Sequence, residues 1–276
     1  MRLQATHPLQ VWLAGLEIGL RSVAREPVLG LKRIILPVSY WRSREYAYVW
    51  RQLSSPAGAR ILDLGSPKSL AHMLARHRGY EVVSTDILPE EVELTRRYAT
   101  AQGLAGEGPG KVRSEVQDGR SLTYPDDSFD AAYSVSVLEH IPGRGDSAAL
   151  QELVRVVKPG GLVVITTPYD RRYRETFVDG PMYERRQMGS EPVFYQRHYD
   201  DAALSERLLG ATPARVADLR YWGEGRVRVE RLLDALGPLR LSVYPIEALL
   251  GSAFLRQVEP SGADHPMAVF FTLRKG

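Results

Sequence analysis

In the run ILDLGSPKSL, residues 61–70, an apolar strand ends on Asp63 and Gly65 and passes straight into a helix. In an open α/β sheet, the crevice beyond the carboxyl end of such a strand is where an adenosine-bearing cofactor lies. Twenty-one residues after Gly65, a second apolar strand, VVSTD, ends in Asp86. A carboxylate there can accept from both ribose hydroxyls, because the second strand runs beside the first and the side chain points across the crevice. The competing reading makes Asp86 a cap of the following helix. Asp118–Gly119 follows a third strand and is also a common turn pair. His140 opens the loop after a fourth strand, and imidazole titrates where a general base at neutral pH should. A packing or capping histidine is the alternative.

The elements that must hold these groups can be read from periodicity. Short β-rich runs at Arg60–Leu64, Glu81–Thr85, Val112–Val116, Phe129–Val135 and Leu162–Thr166 alternate with helix-length stretches at 69–78, 89–102 and 146–157. That alternation argues for βα units on a parallel sheet. Two later strands, Ala214–Tyr221 and Met267–Arg274, flank helical patches near 226–236 and 246–255, and KPGG at 158–161 is a turn feeding the fifth strand. Residues 1–58 form a helical preface. Leu9, Trp12, Leu13, Leu16, Leu20 and Val23 recur at helical spacing over 8–25, and a second helix is expected from Ser43 to Leu53. The methyl-bearing stripe is expected to pack on the domain as a lid.

Composition narrows the chemistry. The 276 residues include no cysteine, which excludes disulfides, thiol catalysis, iron–sulfur ligation and Cys-containing zinc sites, and six scattered histidines give no metal centre. No apolar run has the length of a membrane span, and Glu17 interrupts the one stretch resembling a signal core, so a cytoplasmic location is expected. Residues 1–60 carry nine basic and three acidic side chains, +6 of a chain total of +3. An anionic partner or a solvated basic face would explain this. Peripheral contact with an anionic membrane is not the favoured reading, because only Arg2, Arg21 and Arg25 lie on or beside the first helix.

Four blocks then occur in order: the LDLG turn, the Asp86-terminated strand, DGRSLTYPDDSFD running on to LEH (118–140), and LVRVVKPGG (153–161). Over about residues 59–170 the chain resembles the class I S-adenosylmethionine-dependent methyltransferases. The resemblance implies a Rossmann-like, doubly wound α/β fold with a mostly parallel seven-stranded sheet in residues 59–276, with insertions at 171–199 and 223–266. It implies S-adenosyl-L-methionine as cofactor, with Asp86 and Ile87 at the ribose. Asp118, Gly119 and Arg120 would form the adenine pocket, Leu62, Asp63 and Gly65 the floor under the methionine, and Ser134 and Val135 through Val137 the wall near the sulfonium. His140 would face the methyl donor.

The family's first turn usually reads G-x-G-x-G, whereas here it is Gly65-Ser66-Pro67-Lys68-Ser69. Pro67 and Lys68 narrow the space and Pro67 removes an amide. Either Ser66, Lys68 and the helix N-terminus form another cradle, with Lys68 on the methionine carboxylate, or the cofactor has been lost. The first is preferred because Gly65, Asp86 and Asp118 are retained.

The acceptor should be recognised outside this core. Residues 171–199 interleave six arginines with aromatics, a pattern suited to a lid reading a phosphate or carboxylate. Tyr169, Arg172, Tyr173, Tyr195 and His198 are the candidate substrate residues. The modest charge and the absence of a [DN]-P-P-[YF] motif speak against nucleic acid. The reading is a methyltransferase acting on a small, apolar or lipid-like molecule at oxygen. A methyltransferase-like binding protein without turnover and an NAD-dependent oxidoreductase are the alternatives.

Overall fold

The computed structural model describes residues 7–183 and 191–276. Arg2 of the preface, and Glu184, Arg185 and Arg186 of the 171–199 segment, lie outside the described residues. Helices α1 (Pro8–Ser22), α2 (Pro27–Ile35) and α3 (Arg42–Gln52) precede the sheet. There follow β1 (Arg60–Leu64), α4 (Ser69–Arg78), β2 (Glu81–Asp86), α5 (Pro89–Ala101), β3 (Val112–Val116), β4 (Phe129–Val135), α6 (Gly145–Val156) and β5 (Val157–Pro168). A hairpin of β6 (Arg174–Val178) and β7 (Val193–His198) comes next, then the short α7 (Asp201–Leu204) and β8 (Arg215–Glu224). The chain closes with α8 (Val229–Ala235), α9 (Arg240–Val243), α10 (Glu247–Phe254), β9 (Leu255–Gln257) and β10 (His265–Arg274).

The main sheet has the order β3-β2-β1-β4-β5-β10-β8-β9. Strands β1 to β5 pair in parallel, and β10, β8 and β9 are antiparallel. This is the doubly wound Rossmann-like arrangement with eight strands rather than seven: three-residue β9 is too short to signal itself in sequence, yet pairs with Trp222–Glu224. The strand order reverses between β1 and β4, so their carboxyl ends open a crevice. Adjacent strand residues face opposite cores, as the two-residue pleat requires. Ile61, Val82, Ala131 and Phe270 pack with α3 and α4 on one side, and Leu62, Val83, Ala132 and Phe271 pack with α6 on the other. Strand β5 starts already at Val157, so KPGG lies within it, and Gly160 takes φ +78° there.

Three features of the preface and insertions differ from expectation. Pro27 does not merely end α1: it occupies the first turn of an additional helix, α2, where its missing N–H costs nothing. The buried face of α1 is Val11, Ala14, Gly15, Ile18, Gly19 and Ser22, whereas Leu9, Leu13 and Leu20 of the expected stripe are exposed. Backbone proximity selects the small face. A Cβ on Gly19 would lie 2.7 Å from Ile34 Cγ1, and one on Gly30 would lie 2.6 Å from Val23 N, so α1 and α2 meet where side chains are smallest. The 171–199 segment contains the β6–β7 hairpin rather than a loop, anchored by Arg197, fully buried with its Nη1 2.7 Å from Asp146 Oδ2.

Candidate active site

A cavity of about 580 Å³ lies beyond the carboxyl ends of β1, β2 and β3 and beside the end of β4. Gly65, Ser66, Lys68, Asp86, Ile87, Asp118, Gly119 and Arg120 all line it. Gly65 has φ +64°, and a Cβ there would come 3.0 Å from Val137 Cγ1; on Gly119 it would come 2.9 Å from Leu64 Cδ1. Both glycines are therefore required by close packing of the lining, Gly65 also by its positive φ.

Four of the sequence candidates, Leu62, Asp63, Ser134 and Val135, do not line this cavity, and Leu62 is buried in the core on the α6 side of the sheet. Asp63 is buried beneath the turn, where its carboxylate accepts from the Ser66 amide at 3.3 Å and from Ser84 Oγ at 2.9 Å, and burial lifts it to about 6. Ser134 donates to Leu64 O at 3.0 Å, and the Val135 amide donates to Ser66 Oγ at 2.9 Å. These groups tie β1 to β4 and hold the turn from inside. The wall is instead made just beyond the strand, by Ser136 and Val137.

Both crevice carboxylates are already engaged. Asp86 pairs with the Lys68 ammonium, and its other oxygen accepts from the Leu88 amide at 3.1 Å. Asp118 takes a forked pair of bonds from Arg120, 2.9 and 2.6 Å, which holds its carboxyl below the usual range. A carboxylate has about four acceptor positions, so each retains capacity for a hydroxyl or amino donor. Lys68, directed at the β2 carboxylate, lies 4.0 Å from Glu91 as well. The cavity size falls within the roughly 300–1,000 Å³ of small-ligand sites. Two glycines in the lining and two rim carboxylates with spare capacity fit an adenosine-bearing cofactor.

A second cavity of about 490 Å³ meets the first at Arg42, Ser136, His140 and Tyr195, which line both. Its walls come from three directions: the start of α3 with the residues before it, the ends of β5 and β7, and the 223–266 insertion. Of the substrate candidates, Tyr169, Tyr195 and His198 line it, and Arg172 and Tyr173 do not. Tyr173 turns its hydroxyl to Glu175 at 2.5 Å. The segment's arginines are largely spoken for: Arg174 pairs with Asp170, Arg171 bonds Pro260 O, and Arg197 is buried on Asp146.

Several groups here carried no signal in the sequence reading. Glu45 of α3 is buried, accepting from Arg42 Nη1 at 2.5 Å, Ser136 Oγ at 2.6 Å and Thr166 Oγ1 at 2.9 Å. It thereby holds Ser136, a non-glycine at φ +50°, in a backbone conformation that costs about 1–3 kcal/mol. Glu139, the middle residue of LEH, is buried beside Arg42 and Glu45, and desolvation raises it to about 8, so it is mainly protonated at neutral pH. Its Oε1 lies 3.8 Å from His140 Nε2. His140 Nδ1 lies 2.9 Å from Tyr195 O, a carbonyl that can only accept. The network thus assigns a proton to Nδ1. His198 is pushed by burial down to about 4 and is neutral, with its Nδ1 buried and lacking a hydrogen-bond partner.

Comparison with known proteins places this architecture. Residues 62–165 match the family described as a methyltransferase domain. The 2-methyl-6-phytyl-1,4-hydroquinone methyltransferase of Synechocystis sp. is 35% identical over 115 residues, 40% of this chain and 32% of that protein. The chain spans less than half the length of the first curated relatives it matches, 32%, 45% and 38%. Among solved structures, a [4+2]-cyclase superimposes with a TM-score of 0.56 at 20% identity, covering 86% of this chain and 84% of the other. A SAM-dependent methyltransferase from Methanosarcina mazei gives 0.52 at 18%, covering 82% and 96%. At such identities both likenesses are of fold.

Proposed function

The chain carries a Rossmann-like class I S-adenosylmethionine-dependent methyltransferase domain, and from that premise we propose that it methylates a small, apolar or lipid-like acceptor at a hydroxyl oxygen. The observation that carries this reading is the junction of the two cavities at Arg42, Ser136, His140 and Tyr195, one fitted for a nucleoside and the other for an acceptor. Asp86 and Ile87 would hold the ribose, Asp118 to Arg120 the adenine, and Gly65 with Val137 the floor and wall near the methionine. When bound, S-adenosylmethionine supplies an electrophilic methyl group.

The protein's own part is mostly positional. Holding two reactants in contact contributes about 7–11 kcal/mol, more than a well-placed base. His140, which lines both cavities, is the group placed to take the acceptor's hydroxyl proton. Glu139 beside it is held mainly neutral by burial and so adds little negative charge next to the imidazole. The apolar acceptor is favoured by the Synechocystis relative, whose name specifies a phytyl-bearing hydroquinone. Tyr40, Trp41 and Tyr169 add aromatic wall to the chamber.

Calorimetry with S-adenosylhomocysteine, S-adenosylmethionine and NAD, followed by labelled-methyl transfer to a panel of apolar phenols and hydroquinones, tests the proposal. Binding of the first two and transfer to oxygen are expected, and binding of NAD alone would overturn it. One observation favours a second reading, a binding protein of this fold without turnover: the Lys68 ammonium rests on the carboxylate meant for the ribose. Failure to bind any of the three nucleotides would select it.

A further inference from the structure

Among the described residues no helix is long and apolar enough to cross a membrane, yet one side of the molecule is unusually apolar. On α1 and α2, Leu20 is 66% exposed, Val28 77%, Leu31 53% and Ile35 54%; in the insertion, Leu232 is 62%, Leu239 69% and Leu241 62%. The two groups are linked through the turn at 244–246: α1 packs on α2 and α10, α2 touches that turn, α9 adjoins it, and Trp12 Nε1 donates to Pro245 O at 2.6 Å. Scattered exposed leucines need no explanation, but a run of them on adjoining elements marks an interaction surface.

The charges say what covers it. Lys32, Arg226, Arg228 and Arg231 are exposed on these same elements and form no ion pair among the described residues. The acids of residues 226–254 are turned inward or paired, and the exposed Glu259 lies beyond them. Glu230 accepts from Trp41 Nε1 at 2.6 Å, Glu247 is buried against Arg240 and the Tyr40 amide, and Asp234 pairs with Arg240. The outward charge is therefore cationic around an apolar centre. In a two-fold dimer through this face, the cations of one copy would meet those of the other. An anionic lipid surface satisfies both the leucines and the arginines.

We propose that the outer face of α1, α2 and residues 226–254 docks peripherally on an anionic lipid bilayer. The binding itself stands apart from methyl transfer. What rests on the proposed function is the consequence: α8 and α9 line the acceptor chamber through Glu230, Asp234 and Arg240 while carrying Leu232 and Leu241 outside, so docking sets the chamber one helix away from the bilayer.

The test is co-sedimentation of the full chain with vesicles of phosphatidylcholine, alone or mixed with phosphatidylglycerol, at low and high salt, alongside light scattering. Binding to the mixed vesicles, weakened by salt, is expected. The triple variants Leu232→Ser/Leu239→Ser/Leu241→Ser and Arg226→Gln/Arg228→Gln/Arg231→Gln should each lower partitioning by roughly tenfold or more. All six side chains are exposed, so thermal unfolding should be unchanged. S-adenosylhomocysteine binding by the variants separates the two claims: its retention with lost partitioning supports docking, whatever the acceptor proves to be. Equal binding to both vesicle types, no binding to either, or a dimer dissolved by the leucine variant would each overturn the proposal.

Discussion

Replacing Glu139 by Gln should flatten the dependence of stability on pH, with little effect at low pH, where the carboxyl is protonated in both states. The carboxyl is buried, and desolvation raises it to about 8 from an unfolded value of 4.5. Below pH 4.5 both states are protonated and the group contributes no pH dependence. Between the two values the folded state keeps the proton and the unfolded state has lost it, so stability falls as pH rises through that window. Each pH unit well inside it costs about 1.4 kcal/mol, so this single group removes roughly 2–3 kcal/mol between pH 5.5 and pH 7.5. Glutamine keeps the shape and cannot ionise. Asp63 and Glu230, raised by burial to about 6 and about 7, slope in the same direction but are common to both proteins. The difference between variant and parent therefore isolates position 139. Urea unfolding at pH 5.5, 6.5 and 7.5 should show the variant gaining on the parent by about 1 kcal/mol or more per unit. Parallel stability curves would refute a neutral Glu139.

Three other outcomes follow from the geometry. Asp86→Ala should weaken S-adenosylhomocysteine binding by about 1.5 kcal/mol in calorimetry, since charge-assisted bonds to hydroxyls are lost, and binding unchanged in both this variant and Asp118→Ala would dismiss the assigned crevice. Lys68→Met should shift affinity for S-adenosylmethionine and for 5′-methylthioadenosine alike, because the ammonium rests on Asp86 and both ligands present a ribose. A loss confined to the carboxylate-bearing ligand would show that Lys68 moves onto the methionine end. Glu45→Ala strands Arg42, Ser136 and Thr166 and should destabilise the protein by about 3 kcal/mol, read as a clear fall in melting temperature; an unchanged melting temperature would contradict the role given to this carboxylate.

What the sequence discloses here is what short-range physics determines. Helix α4 falls at 69–78 and β1, β3 and β4 fall where alternation and turn residues put them, because those signals act within a few residues. Most of the expected cofactor residues gather in one crevice for the same reason: they stand at the ends of consecutive parallel strands. The groups that escaped notice depend on contacts between distant parts of the chain. Glu45 meets Ser136 across 91 residues, and nothing near Glu45 distinguishes it from a solvent-facing acid on an amphipathic helix.

The orientation of α1 escaped for a subtler reason. Hydrophobic periodicity ranks faces by how much apolar surface they offer, and the leucine stripe wins that ranking. Packing against α2 is decided by how closely two backbones can approach, and Gly19 and Gly30 win that one, with Gly15 packed on Pro37 and Val38 just beyond it. A helix with both a leucine face and a glycine face can satisfy two partners at once. Because the glycine face is used up inside the fold, the leucines are left outward beside unpaired cations. The feature that first suggested a lid therefore becomes the strongest structural reason to look for a lipid surface.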